Sequence, residues 1–427
     1  MSLRDVITKV EEQYGTGSVA QGSRGRSFTL ARFTSTIFDL DRIVGGGWPH
    51  GRFIQIYGPP SGGKSVVVMK SIAGQQKYCR YCYGMFMPDE TTGELLCACP
   101  KDCEDCGKTF AKKPYDGPEP KEGDPFNWEV IWDEWSCECL VEGATKKKSD
   151  RVPKTTRRAA RCRQALFDAE NSFTKEWAIY MGVDPDLLFV FVPEYAEQGI
   201  DIADTLLRST EIDALAVDSV AELTPSKEIE SSTEEWQMGL QARLVNKALR
   251  KWNASVNSLG VNSPRKPTVF LINQTRTNMQ GEEVCPGGWA QQFKASIRLR
   301  MNAAHYKFKE QANEKDRDDP KKKELQYADI GGFTRKNKTF APMKTFASRL
   351  YLDNFEGNIA GSTNEYGVVF DRALELEVIG NPKDGKYTYG SRSWNTQRQV
   401  KTDLEAEPIL FWEIRSKALA LALTVMA

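Results

Sequence analysis

Short apolar runs alternate with longer periodic ones along this chain, and glycine or polar clusters separate them. Residues 53–57, Phe-Ile-Gln-Ile-Tyr, have the length and apolar content of a buried strand, and the spacing from Val66 to Ala73, continuing to about Gln76, is that of a helix. Ala165-Leu166-Phe167, residues 212–217 and residues 268–272 read as further buried strands. At the start, Leu3, Val6, Ile7, Val10 and Tyr14 fall at helical spacing with Gly15 as a stop, and residues 408–425 predict a closing helix. Strands alternating with helices predict an α/β fold: a mostly parallel, twisted sheet covered on both faces, with ligand outside the strand carboxyl ends.

Between the first of these strands and its helix stands Gly58-Pro59-Pro60-Ser61-Gly62-Gly63-Lys64-Ser65. Glycines bring backbone N–H groups close to phosphate oxygens, Lys64 supplies charge to the β- and γ-phosphates, and Ser65 offers a hydroxyl to Mg²⁺. The segment therefore predicts a nucleoside triphosphate site in the P-loop ATPase class. The strand at residues 212–217 ends at Asp218, placed to hold Mg²⁺ beside that loop, and the strand at 268–272 ends in Asn273-Gln274, a polar amide pair at the same edge.

Charge adds little, because 58 basic and 58 acidic residues cancel and any nucleic-acid contact must come from a local patch. No apolar signal core opens the chain and no apolar run approaches the roughly 20 residues of a membrane span, so a reducing cytoplasm is expected and a membrane partner is not. In that compartment cysteines read as metal ligands. Eight of the ten cluster in close pairs, Cys79 with Cys82, Cys97 with Cys99, Cys103 with Cys106 and Cys137 with Cys139, predicting one or two Zn²⁺ sites whose pairing stays open. They lie in a stretch that interrupts the alternating pattern. The pattern divides the chain into an N-terminal helix and strand (1–33), a core carrying the triphosphate loop (34–76 and 164–352), an inserted Cys-rich zinc module (77–163) and a small C-terminal α/β domain (353–427). Within the insertion, residues 146–163 hold nine basic residues in eighteen, a solvated linker or a phosphate-contacting arm. Residues 302–326 are charged and read as a projecting loop.

The chain resembles the RecA-type recombinases. The likeness rests on residues 10–18, 51–65, 167–171 (Phe-Asp-Ala-Glu-Asn), 217–225, 238–243, 272–276, Gly287-Gly288, 293–296 and Lys336-Asn337-Lys338, in family order. It implies a RecA-type P-loop ATPase fold with ATP and Mg²⁺ as cofactors, the ATPase core at 34–76 and 164–352, and residues 1–33 docking on a neighbouring subunit. It makes Glu170 the acid that orients the attacking water, Gln274 the γ-phosphate sensor, and Lys336 and Lys338 a pair that reaches ATP across a subunit interface. Trp177 falls where the family stacks a ring on adenine, or is plain core.

The resemblance also implies single-stranded DNA and homologous duplex DNA as partners, and self-association into a helical filament. Two loops, 231–238 and 275–286, would meet DNA, with Met238 and Met279 wedging between bases and Arg243, Arg250, Arg276 and the Gly287-Gly288 backbone meeting phosphate. Phe293 resembles a family residue at the subunit interface, or is core. Trp289, after the paired glycines, departs from the small polar residue favoured there. The activity implied is DNA-dependent ATP hydrolysis driving homologous pairing and strand exchange. A RecA-fold helicase or branch-migration ATPase, and a non-hydrolysing nucleotide-switched scaffold, are the alternatives; the intact Lys336-Asn337-Lys338 and the joint presence of Lys64, Glu170, Asp218 and Gln274 favour the recombinase.

Overall fold

The computed structural model describes residues 3–14, 19, 30–78, 80, 85–88, 95–97, 111–112, 135–136, 161–231, 239–258, 266–278, 280–308, 325–354, 358–380 and 385–426. Nine strands build its main sheet: β1 (Phe53–Gly58), β2 (Gln164–Asp168), β3 (Leu188–Phe191), β4 (Ala214–Asp218), β5 (Thr268–Gln274), β6 (Ile297–Met301), β7 (His305–Phe308), β8 (Leu325–Asn337) and β9 (Thr345–Tyr351). Their order is β7-β8-β6-β1-β5-β4-β2-β3, with β9 also on β8. From β6 to β3 every pairing is parallel, and β7, β8 and β9 form an antiparallel flank. The mostly parallel sheet expected from the pattern is present.

Because side chains alternate across a strand, the central strands feed two separate cores. Ala214, Ala216, Phe270 and Ile272 join the cluster around Val67, Val68 and Ile72 of the helix Lys64–Gln75. Leu215, Val217, Val269 and Leu271 join the opposite cluster with Ile200, Leu207, Val245 and Trp252, carried by the helices Ala196–Ser209 and Leu240–Asn257. Burial on both faces explains why these strands read as unbroken apolar runs.

The stretch read as a projecting loop at 302–326 behaves differently, since His305–Phe308 pairs antiparallel with β8. Its alternating His-Tyr-Lys-Phe was masked by the surrounding charge; residues 309–324 lie outside the described set. The chain leaves the core at Tyr78 and returns at Cys162, whose N–H donates to the Tyr78 carbonyl at 3.1 Å. Arg161 fixes the return point, donating to Gln76 O at 3.1 Å and pairing with Asp184 at 2.8 Å.

The eight zinc ligands expected from the sequence all fall between those two points. Cys79, Cys82, Cys99, Cys103, Cys106, Cys137 and Cys139 lie outside the described residues, and of Cys97 only the backbone is described, on the short strand Leu95–Cys97. Among the described residues, no group of three or more His, Cys, Asp or Glu side chains is arranged to hold a metal ion, and the eight thiols of the zinc expectation are not among the side chains described.

Beyond β9, the helices Glu365–Glu375, Gln397–Ala406 and Pro408–Met426 and a hairpin of Tyr387–Tyr389 with Arg392–Trp394 close around their own apolar cluster. Phe38 of the helix Phe38–Val44 belongs to it too. That helix starts at Ile37, which carries no capping oxygen. Glu365 supplies the cap instead, accepting from Phe38 N through both oxygens at 2.9 and 3.1 Å. Arg415 meets the buried Asp41 at 2.7 Å on the same seam. Among the described residues, no helix is long and apolar enough to cross a membrane.

Candidate nucleotide and DNA-binding site

The phosphate loop runs from the end of β1 into the helix Lys64–Gln75, as its glycines predicted. Gly63 caps the helix at φ +79°, and a Cβ there would lie 3.0 Å from Ile330 Cγ2, so both backbone and space call for glycine. Lys64 is buried and donates from Nζ to Pro59 O at 2.6 Å. Burial lowers its pKa, and the charges of Asp218 and Glu170 oppose that shift. From β7, the Tyr306 hydroxyl donates to Ser61 O at 3.3 Å, so the strand hidden in the charged stretch braces this loop.

Asp218 ends β4 and accepts from Ser65 Oγ at 2.7 Å. Burial pushes its carboxyl up to about 6; the Ser65 hydroxyl opposes this, Glu170 and Asp168 add to it, and Lys64 opposes it. A desolvated carboxylate touching a hydroxyl beside a phosphate loop is a pair of hard oxygen donors that gains from a divalent cation, and these two residues fit Mg²⁺.

Asp168 lies beside Asp218 in register on β2. Its two oxygens accept from Ser172 N at 3.2 Å and Phe173 N at 2.9 Å, closing a turn in which Asn171 adopts φ +52°. The Asp218 carbonyl accepts from Ala169 N at 2.7 Å and Glu170 N at 3.2 Å. Two aspartates thus set the backbone of Glu170, whose exposed side chain accepts from Gln274 Nε2 at 3.2 Å. Lys64, Ser65, Asp218, Glu170 and Gln274, drawn from four separated stretches, converge at one sheet edge. Sequence reasoning missed Asp168; its signal was an Asx residue three positions before an asparagine at a strand end.

Past Gln274, Arg276–Thr277 pairs with Glu283–Val284 as a small hairpin, held by Glu283 to Arg300 at 2.8 and 3.1 Å. Arg276 is exposed on it. The hairpin's return is anchored by buried amides. Asn273 Nδ2 donates to Pro286 O at 2.8 Å and to Gln291 Oε1 at 3.1 Å, and Gln291 Nε2 also donates to Pro286 O at 2.8 Å. Gln55 Nε2 donates to Gln291 Oε1 at 3.1 Å, and Arg298 Nε donates to Gln55 Oε1 at 2.7 Å. Sequence reasoning missed Gln55 and Gln291 as well; a glutamine inside the apolar run of β1 was the available hint.

Arg243 and Arg250 are exposed on the helix Leu240–Asn257, two turns apart on one face that also borders Gly288. Gly287 is buried against Gln291. Lys336 lies elsewhere, donating from Nζ to Gln292 O at 2.6 Å and Phe293 O at 3.2 Å, two carbonyls in the last turn of the short helix Ala290–Lys294. Lys338 is close enough to depress Lys336 and Lys294 further, after burial. Trp177 is part-exposed on the helix Lys175–Tyr180, its ring 6.5 Å from Tyr180. Met238 and Met279 lie outside the described residues.

Compared with known proteins, the chain matches the family described as the RecA N-terminal domain over residues 1–91 and 146–346. It is 28% identical to Protein RecA of Lactiplantibacillus plantarum, covering 97% of this chain and 83% of that protein. With Protein RecA of Levilactobacillus brevis it shares 27% identity over 98% of this chain and 84% of the relative. Among solved structures, the RadB recombinase aligns with 73% of this chain and 93% of its own at 13% identity and a TM-score of 0.38, a likeness too slight to bear on function.

Proposed function

The chain belongs to the RecA N-terminal domain family, and from that premise we propose that it is an ATP-dependent recombinase that coats single-stranded DNA and promotes pairing and strand exchange with a homologous duplex during recombination and repair. The observation that carries this reading is the Gln274–Glu170 hydrogen bond, because Gln274 also opens the hairpin that leads to Gly287 and Gly288. One residue therefore touches the hydrolytic acid on one side and begins a DNA-facing segment on the other.

In this reading Lys64 neutralises phosphate charge, and Ser65 with Asp218 would hold Mg²⁺, which when bound screens the charge building on the phosphates. Glu170 accepts a hydrogen bond from water and aligns it for in-line attack. Gln274 exchanges its bond to Glu170 for the terminal phosphate, and the buried Asn273 beside it passes that change to Pro286. Lys336 and Lys338 act on ATP bound by a neighbouring subunit, so turnover requires assembly. The helix Leu3–Tyr14 supports self-association, since it buries none of its residues and leaves Leu3, Val6 and Tyr14 exposed. Trp177 serves the adenine ring; Met238, Arg243, Arg250, Arg276, Met279, Gly287 and Gly288 serve DNA.

The sequence pairs Cys79 and Cys82, Cys97 and Cys99, Cys103 and Cys106, and Cys137 and Cys139 support Zn²⁺ as a structural metal of the insertion, because thiols in close pairs form the donor set tetrahedral zinc prefers. A reducing cytoplasm suits such a set. One or two zinc ions per freshly reduced chain are expected by native mass spectrometry, and none would refute the assignment.

Strand exchange between a labelled single strand and a homologous duplex tests the function. ATP-dependent transfer of the strand is expected, with none from a heterologous duplex; transfer indifferent to homology would refute it.

A further inference from the structure

Beside the paired glycines the surface opens into a groove of about 680 Å³ whose walls include Arg243, Asn246, Arg250, Trp289, Phe293 and Lys294. Three cations and no carboxylate line it among the described residues, in a chain whose total charge is balanced. Two large aromatic side chains stand at it with most of their surface in solvent, Trp289 at 71% and Phe293 at 74% exposure. Their placement is built in. Gly288 at φ +76° lets the turn press on the helix Leu240–Asn257, where a Cβ would lie 3.1 Å from Ala242 Cβ, and the next residue, Trp289, is left outside. Phe293 follows four residues later, on the same helical face.

Exposed aromatic faces among guanidinium groups are the chemistry of single-stranded nucleic acid. Rings accept bases, cations accept the phosphates between them, and a duplex keeps its base faces covered. In the chain, the hairpin of Arg276–Thr277 and Glu283–Val284 runs directly into Gly287 and the groove-lining Gly288 and Trp289. Resting on the recombinase reading, we propose that Trp289 is a stacking platform for one nucleobase of the bound single strand, with Arg243 and Arg250 holding its flanking phosphates. Each subunit then grips the strand by a base as well as by its backbone, and lesions lacking a base weaken the grip.

The test uses the full chain with a non-hydrolysable ATP analogue, comparing by fluorescence anisotropy a thymidine oligonucleotide with one of equal length made of abasic sites. Wild type is expected to prefer the strand with bases by roughly tenfold or more. Trp289→Ala lowers that preference several-fold, Trp289→Phe restores most of it, and Arg250→Ala weakens both strands alike. A Trp289→Ala variant that discriminates as wild type does overturns the platform. So does one that binds both strands normally yet sediments as smaller assemblies, since the groove would then seat a second copy. If wild type binds neither strand, the recombinase reading fails first and the platform with it.

Discussion

Gln274 Nε2 lies 3.2 Å from Glu170 Oε1, joining the ends of β5 and the turn after β2 across the mouth of the nucleotide site. Neither side chain is buried, so the bond is readily exchanged for one to a phosphate oxygen. Glu170→Gln is expected to leave nucleotide binding intact and lower turnover roughly a hundred- to ten-thousandfold. Gln274→Ala is expected to keep slow DNA-independent turnover and lose stimulation by DNA. Steady-state hydrolysis alongside fluorescent-nucleotide titration separates the two; equal loss of binding in both variants would contradict the assignment.

Gln291 sits where three amides and the Pro286 carbonyl meet, with no accessible surface. Gln291→Leu removes the acceptor used by Gln55 and Asn273 and is expected to cost about 1–3 kcal/mol through stranded buried donors. Because it also removes one of the two donors to the Pro286 carbonyl, leaving Asn273 alone there, the DNA concentration needed for half-maximal stimulation should rise several-fold while ATP affinity stays unchanged. Urea unfolding and DNA titration of the ATPase measure the two effects separately, and an unchanged DNA requirement would rule out coupling through this residue.

Lys336 caps carbonyls within its own chain, so its loss is expected to cost only about 1 kcal/mol of stability. The role proposed for it toward ATP on a neighbouring subunit predicts that Lys336→Ala abolishes DNA-stimulated turnover at every protein concentration. Mixing it with a Lys64→Ala chain should recover part of the activity, since mixed interfaces pair an intact site with an intact lysine. No recovery in the mixture would place Lys336 outside the shared site.

His50 is buried against the Phe33 ring, centroids 4.8 Å apart, and burial pushes its pKa down to about 3. The unfolded chain takes up a proton below about 6.5 that the folded chain refuses, so stability falls as pH drops through the interval between those values. Between pH 6.5 and pH 5 this single group removes about 2 kcal/mol. Denaturant midpoints of wild type and His50→Phe at pH 7.5 and 5.0 should show the wild type losing more; parallel losses would show that His50 is protonated in the fold.

The phosphate loop and the strand-end Asp218 were legible because phosphate and metal chemistry restrict local sequence, and the flanking strands are buried on both faces. The strand pattern put Gln274 at the right edge but gave it no task, and the roles expected of Glu170 and Gln274 came from family likeness. Gln55 and Gln291 could not be paired from sequence: they lie 236 residues apart and meet only once β1 and the short helix Ala290–Lys294 pack together. The strand His305–Phe308 was hidden for a different reason. Its His-Tyr-Lys-Phe alternation spans only four residues inside a charged stretch, all four are exposed, and partnership with β8 makes it a strand. Likewise the cap from Glu365 to Phe38 joins residues 327 apart and has no local trace.

The most direct measurement is ATP hydrolysis with and without single-stranded DNA over a range of protein concentrations, with Glu170→Gln as the blank. Steep stimulation by DNA, rising cooperatively with protein concentration, is the predicted result. Hydrolysis at the same rate with or without DNA, proportional to protein concentration, would contradict a site completed by a neighbouring subunit on a DNA strand.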